Sequence, residues 1–236
     1  MGKNKLLHWA ELATFPNVIQ PETGGFGVPH AIKGQWHSTM FNNQNPIVLE
    51  LGCGKGEYTV GLAQRYPDKN FIGIDIKGAR MWRGAKTAFE NEMLNTAFLR
   101  TRIEFIESFF DVDEVDEIWI TFPDPHIGAN NPNRRLTCPI FLNRYRSFLK
   151  DNGIVHLKTD NEELYDFTLE IAQRNNLEIL ASTKDLYSDF AGNEILSIRT
   201  HYETIFLNDG LKIKYLSLRS KSILEHSHFL KVFRQI

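Results

Sequence analysis

The stretch Glu50-Leu51-Gly52-Cys53-Gly54-Lys55-Gly56 sets glycines at alternate positions behind a carboxylate. Such glycines allow a tight turn and let a ligand come close to the backbone. The pattern is G-x-G-x-G, not the G-x-G-x-x-G of dinucleotide sites, and Gly56 stands where a phosphate-binding P-loop needs Ser or Thr. Glu50 narrows the ligand further. A carboxylate ahead of the loop would repel a pyrophosphate, but it suits a cofactor that carries a sulfonium and an ammonium and no phosphate. S-adenosylmethionine is such a molecule. Asp75, at the end of the next apolar run, is placed to accept both of its ribose hydroxyls. Charge-assisted hydrogen bonds of that kind contribute about 1.5–3 kcal/mol each.

A second stretch, Thr121-Phe122-Pro123-Asp124-Pro125-His126, closes another apolar run. Its prolines fix φ on both sides of Asp124 and remove backbone donors, so the carboxylate sits in a stiff turn. An isolated Asp-Pro would read as a surface turn. Its place after a fourth strand favours a group set beside the methyl donor.

These residues need a frame that gathers strand ends. From Pro46 onward short apolar runs alternate with helical spacing: strands at 47–51, 71–75, 97–99, 118–122 and 154–157, with helices over 58–66, 78–95, 140–149 and 162–174. Ile103, Ile106 and Phe110 form a further helical stripe, Asp151-Asn152-Gly153 reads as a turn into the fifth strand, and strand-like runs recur at 177–180 and 212–218. Buried strands separated by amphipathic helices imply a doubly wound, mostly parallel α/β sheet. Periodicity leaves the direction of the last strand open. Such sheets bind ligands beyond the carboxyl ends of their strands, where the winding reverses. Three regions follow: an arm over 1–45, rich in Gly and Pro and docked by Trp9, Phe15, Phe26 and Trp36; a catalytic domain over 46–219; and a tail over 220–236.

The 236 residues carry 27 Lys and Arg against 29 Asp and Glu, a net charge of −2, which excludes a protein that coats nucleic acid by bulk charge. A polyanion would have to meet a local patch. Lys77, Arg80, Arg83 and Lys86 recur at helical intervals, and Arg134, Arg135, Arg144 and Arg146 make a second group near the Asp124 turn. Two cysteines, Cys53 and Cys138, exclude a disulfide scaffold and a cysteine-built zinc site. No metal is expected. The first residues have no apolar run after their lysines and no window reaches the roughly 18 apolar residues of a membrane span. The expectation is a reduced, cytoplasmic protein, monomer or homodimer.

The motifs together resemble those of the tRNA (guanine-N7)-methyltransferases. Phe122-Pro123-Asp124-Pro125 is similar to that family's hallmark turn and is followed by the basic Arg134-Arg135-Leu136. Lys158-Thr159-Asp160-Asn161-Glu162 resembles its T-D-x-E element and Thr200-His201-Tyr202-Glu203 its T-x-[YF]-E element. Phe15-Pro16-Asn17-Val18 and Gly34-Gln35-Trp36 in the arm also match. The resemblance implies a class I S-adenosylmethionine-dependent methyltransferase fold and methyl transfer to a tRNA guanine, the variable-loop guanine at position 46. It implies Asp124 as the catalytic carboxylate and Glu50 and Asp75 as cofactor contacts, beside the loop glycines Gly52, Gly54 and Gly56 and the Thr101 hydroxyl, which can bond adenine. It also implies that Asp160, Thr200, His201, Tyr202, Glu203, Arg134 and Arg135 meet the tRNA. Two positions depart from the family: Thr101-Arg102 where an acidic residue is common, and Gly128 where a substrate-binding Lys is common. Competing readings remain for the two later motifs, since Thr200 and Glu203 also spell a capping box and Asp160-Asn161-Glu162 a helix cap. The alternatives are an N-methyltransferase for another substrate and a non-catalytic RNA-binding protein. A nicotinamide oxidoreductase would need its pyrophosphate beside Glu50.

Overall fold

The computed structural model describes residues 3–21, 28–127 and 132–219. Among these, eight strands form one sheet: β1 (Val18–Ile19), β2 (Ile47–Leu51), β3 (Asn70–Asp75), β4 (Thr96–Arg100), β5 (Val115–Thr121), β6 (Leu149–Thr159), β7 (Glu178–Thr183) and β8 (Lys214–Arg219). Their order is β1-β4-β3-β2-β5-β6-β8-β7. The pairings from β1 through β6 are parallel, and β8 runs antiparallel to both β6 and β7. This is the expected doubly wound α/β frame, with the direction of the last strand now determined.

The central strand β2 is buried at every position, as a strand covered on both faces must be. Its odd residues Ile47, Leu49 and Leu51 join one core with Trp36, Ile118, Tyr145 and Leu164. Val48, on the other face, packs with Tyr58, Leu62, Trp119 and Ile198. The helices that cover the sheet are α2 (Glu57–Arg65), α3 (Gly78–Glu90), α4 (Pro139–Arg146) and α5 (Glu162–Arg174), with the short α6 (Leu186–Asp189) and α7 (His201–Asn208) before β8. The α5 helix has the bounds its pattern predicts. Asn161 caps it, accepting from the Leu164 amide at 2.8 Å.

Three expectations change. The third helix ends at Glu90 rather than Asn95, because Glu92 turns left-handed (φ 52°) and the Asn95 amide group donates to the carbonyls of Ala63, Tyr66 and Lys69. Asp151-Asn152-Gly153 does not separate a helix from a strand. It forms an irregularity within the 11-residue β6, with Asn152 at φ 65° and the pairing to β5 shifted beside it. The stripe of Ile103 and Ile106 is a short 3₁₀ helix over Ile103–Ser108, and Phe110 lies beyond it yet is buried in the core.

The arm is more ordered than its Gly and Pro content predicts. A helix α1 (Lys3–Leu12) lies along α3, and β1 adds an edge strand to β4. The His8 ring stacks on Trp82 at 3.7 Å, and Glu11 accepts from Trp82 Nε1 and Lys86 Nζ, each at 2.7 Å. Trp36 opens a π-helical turn (Trp36–Phe41), is fully buried, and donates its indole N–H to the Phe109 carbonyl at 2.8 Å. Phe26, Gly128 and the tail lie outside the described residues.

Candidate active site

The winding reverses at β2, which sends its connections to β3 on one side and pairs with β5 on the other. Beyond the strand ends there opens a cleft of about 740 Å³ whose lining includes Gly52, Asp75, Thr101, Asp124 and Arg134, together with Arg102 and Arg144. The volume is that of a small-molecule site. Gly54, Gly56, Glu50, Asp160, Arg135 and residues 200–203 do not line it.

The three loop glycines all adopt positive φ (76°, 56° and 73° for Gly52, Gly54 and Gly56), but for different reasons. A side chain at Gly52 would meet nothing within 4 Å, so that backbone is open to a ligand. At Gly56 a Cβ would fall 2.7 Å from the Phe98 ring and 3.1 Å from Gly84 Cα. The third glycine thus brings α2 and α3 together and has no contact with the cleft. The loop is tied to β3: Gly52 and Cys53 donate to the Ile74 carbonyl (2.8 and 3.0 Å), and Gly54 donates to Asp75 Oδ2 at 2.9 Å. Asp75 Oδ1 accepts from the Lys77 amide at 2.8 Å. Each carboxylate oxygen keeps lone-pair capacity toward the cleft. Burial pushes the Cys53 thiol up, so it stays protonated.

Glu50 departs from its expected place. It lies on the same face as Val48, sealed from solvent, with Oε2 accepting from both the amide and the hydroxyl of Thr59 and Oε1 from the Thr121 hydroxyl at 2.6 Å. Burial, opposed only in part by these bonds, pushes its carboxyl up to about 7. It therefore ties β2 to α2 and to the end of β5 from behind the glycine loop.

Asp124 lines the same cleft, its side chain 74% exposed. Two left-handed residues bracket its turn, Phe122 (φ 49°) and His126 (φ 43°). For residues with side chains such conformations cost on the order of 1–3 kcal/mol each and persist where surroundings over-determine them. The surroundings are visible. Phe122 N donates to the Lys158 carbonyl at 2.9 Å, and Asp124 Oδ1 accepts from His126 N at 3.0 Å. Arg135 is buried behind the turn, donating through Nε to the Pro125 carbonyl (3.0 Å) and through Nη2 to that of His126 (3.3 Å). It also pairs with Glu163 and lies over the Phe167 ring at 4.5 Å. Its neighbour Arg134 is exposed and lines the cleft. The two arginines, alike in sequence, face opposite sides of one turn.

The later motifs sit apart from the cleft. Thr200 and Glu203 form the capping box of α7. The Glu203 carboxylate is 0% exposed and meets Lys158 Nζ, also 0% exposed, at 3.0 Å, while accepting from the Tyr187 hydroxyl at 2.8 Å. Lys158 donates further to the carbonyls of Leu196 and Ile198. Burial pulls the Lys158 ammonium down, opposed by Glu203. His201 and Tyr202 are exposed. Tyr202 stacks with Phe206, which in turn packs on Phe122, so an aromatic row runs from α7 to the Asp124 turn. Asp160 is half-buried, its carboxyl pushed up by burial, and its carbonyl accepts from Lys214 Nζ at 2.7 Å. Sequence reasoning gave Lys158 no role of its own, although a lone cation in the apolar run Ile154-Val155-His156-Leu157 signals a buried counter-charge.

Residues 44–216 match the family described as "Putative methyltransferase". A tRNA (guanine-N(7)-)-methyltransferase of Bacteroides thetaiotaomicron is 50% identical over 93% of this chain and 86% of its own length. That of Christiangramia forsetii is 50% identical over 93% and 99%, and that of Clostridium perfringens 38% over 80% and 88%. This chain belongs to the tRNA (guanine-N7)-methyltransferase family. Its fold is shared more widely than the family. The 16S rRNA methyltransferase KamB superposes with a TM-score of 0.59 at 13% identity, covering 81% of this chain and 95% of that one. The 16S rRNA (adenine(1408)-N(1))-methyltransferase of Catenulisporales acidiphilia gives 0.55 at 14% identity, over 85% and 98%. Both likenesses concern the Rossmann-like frame. In this tRNA (guanine-N7)-methyltransferase relative Thr200 caps α7, and Thr101 and Arg102 follow the end of β4.

Proposed function

We propose that this protein transfers a methyl group from S-adenosylmethionine to N7 of a guanine in tRNA, the variable-loop guanine at position 46. The observation that carries the reading is the stiff Asp124 turn lining one cleft with Gly52 and Asp75. The residues present fit the cofactor: open backbone over Gly52, a carboxylate at Asp75 with free acceptor capacity, and Thr101 lining the same cleft. Gly52, Asp75 and Thr101 would hold it, with Gly54 positioning the Asp75 carboxylate through its amide. When bound, it supplies a methyl group on a positively charged sulfur.

Guanine N7 carries a lone pair and no proton, so no general base is required. Positive charge grows on the imidazole part of the base, and the Asp124 carboxylate, fixed before reaction begins, offsets it. Holding base and donor within one cleft adds the proximity contribution. Glu50 acts by tying β2 to α2 and to the end of β5 behind the loop, and Arg135 through the turn it holds. Arg134, exposed on the cleft wall, is available to a phosphate. Among the described residues no helix is long and apolar enough to cross a membrane. The tRNA substrate and two buried free thiols support a cytoplasmic setting. Labelled methyl transfer to unmodified tRNA, followed by nucleoside digestion, should yield labelled 7-methylguanosine, and a transcript lacking the guanine at position 46 should not accept label. Label in another nucleoside would overturn the reading.

A further inference from the structure

Ion pairing divides the cations of this chain. Lys86 pairs with Glu11, Arg102 with Glu104, and Lys184 with Glu162 and Asp166. Lys77, Arg80 and Arg83 meet no carboxylate among the described residues, and all three are exposed. Lys77 is the N-cap of α3, and Arg80 and Arg83 follow at intervals of three on the helix, Arg80 flanking and Arg83 opposite the buried face of Met81, Gly84, Ala85 and Ala88, about 4.5 Å apart along the helix axis. Three contacts define where the row leads. The Arg80 guanidinium lies 5.9 Å over the ring of Tyr202, which is 42% exposed at the start of α7. At the other end the next cation of the row, Lys86, is neutralised by Glu11 of α1 at 2.7 Å. The Lys77 amide holds Asp75, so the row starts at the wall of the cleft.

We propose that the outer row of α3, joined through Arg80 to Tyr202, is a surface that binds the sugar-phosphate backbone of the tRNA. The inference rests on the proposed function, which requires a polyanion to approach a chain of net charge −2. A local row of uncompensated cations beside the cleft meets that need, and phosphate contacts of this kind release counterions and make binding salt-dependent. Tyr202 adds an exposed ring of the kind on which an unpaired base stacks. The arm helix bounds the surface by covering Trp82 and taking up Lys86.

The test is fluorescence anisotropy with unmodified tRNA over a series of salt concentrations. Arg80→Gln/Arg83→Gln should bind more weakly, with a log Kd against log salt slope shallower by roughly 1 to 2. Its calorimetric affinity for S-adenosylmethionine should equal that of the wild type. Arg80→Lys/Arg83→Lys should keep the wild-type slope, and Arg174→Gln, on the distant α5, should change nothing. Should the double variant fold poorly, Arg83→Gln alone carries the test, with a slope shallower by about 1. An unchanged slope and affinity in the Gln variants, in a wild type that binds both ligands, overturns this surface. A wild type that binds neither S-adenosylmethionine nor tRNA overturns the functional reading instead.

Discussion

Asp124 is exposed, yet its position is set on three sides: by the Pro123 and Pro125 rings, by the His126 amide, and by Arg135 gripping the carbonyls behind it. A carboxylate so held can stabilise developing charge without reorganising. Asp124→Ala should therefore lower the rate of methyl transfer by about 10²–10³-fold, the range typical of a removed electrostatic group. Cofactor affinity in calorimetry should stay near the wild-type value, because the proposed cofactor contacts Gly52 and Asp75 come from the ends of β2 and β3, not from the Asp124 turn. An equal loss of cofactor affinity would place Asp124 among the cofactor contacts.

At the scale of elements, the glycine loop and α7 are fastened by different physics. Gly56→Ala forces a methyl group into the Phe98 ring at a position with φ 73°, where both overpacking and backbone strain act. A destabilisation of about 2–4 kcal/mol in chemical denaturation is expected. Gly52→Ala meets no neighbour, so only the strain of its φ of 76° acts and the stability loss should be about 1–2 kcal/mol, while its cofactor affinity should fall because the added methyl group stands in the ligand's approach. The Lys158–Glu203 pair secures α7 to β6 with both charges fully buried. Removing one partner strands the other, and Lys158→Met should cost about 3–5 kcal/mol. The double variant Lys158→Met/Glu203→Leu should recover much of that loss, since the desolvation of both charges disappears together. Denaturant midpoints of the two variants decide between a charge-pair role and simple packing.

For the whole molecule, two buried carboxylates set opposite trends of stability with pH. Burial raises the Glu50 carboxyl to about 7, so between about 4.5 and 7 the folded chain holds a proton that the unfolded chain releases. The contribution of Glu50 therefore falls as pH rises through that window, by up to about 1.4 kcal/mol per pH unit. Burial also acts on Glu117, but the His156 hydrogen bond and charge outweigh it and lower the group to about 2. Its stabilisation is present above about 4.5 and is lost as pH falls toward 2. Glu50→Gln should flatten the stability profile between pH 4.5 and 7 and leave the acid limb in place. A profile with the wild-type slope in that window would show that Glu50 is ionised when folded.

The alternation of apolar runs with helical spacing was enough for the doubly wound sheet, because burial on both faces leaves an unmistakable run in each strand. The glycine loop, Asp75 and the Asp-Pro turn were legible for a similar reason: local backbone demands restrict residue type. The arm was not legible, since α1 is held by long-range contacts of His8 and Glu11 with α3 that no local pattern records. Adjacent letters also concealed opposite fates. Arg134 faces the cleft and Arg135 braces the turn; His201 and Tyr202 face solvent and Glu203 lies in the core. The residue types that bind charge were set by the sequence alone, but whether each charge meets a ligand or a buried partner depended on which elements packed against it. Desolvation is a property of that packing, and only the tertiary structure decides it.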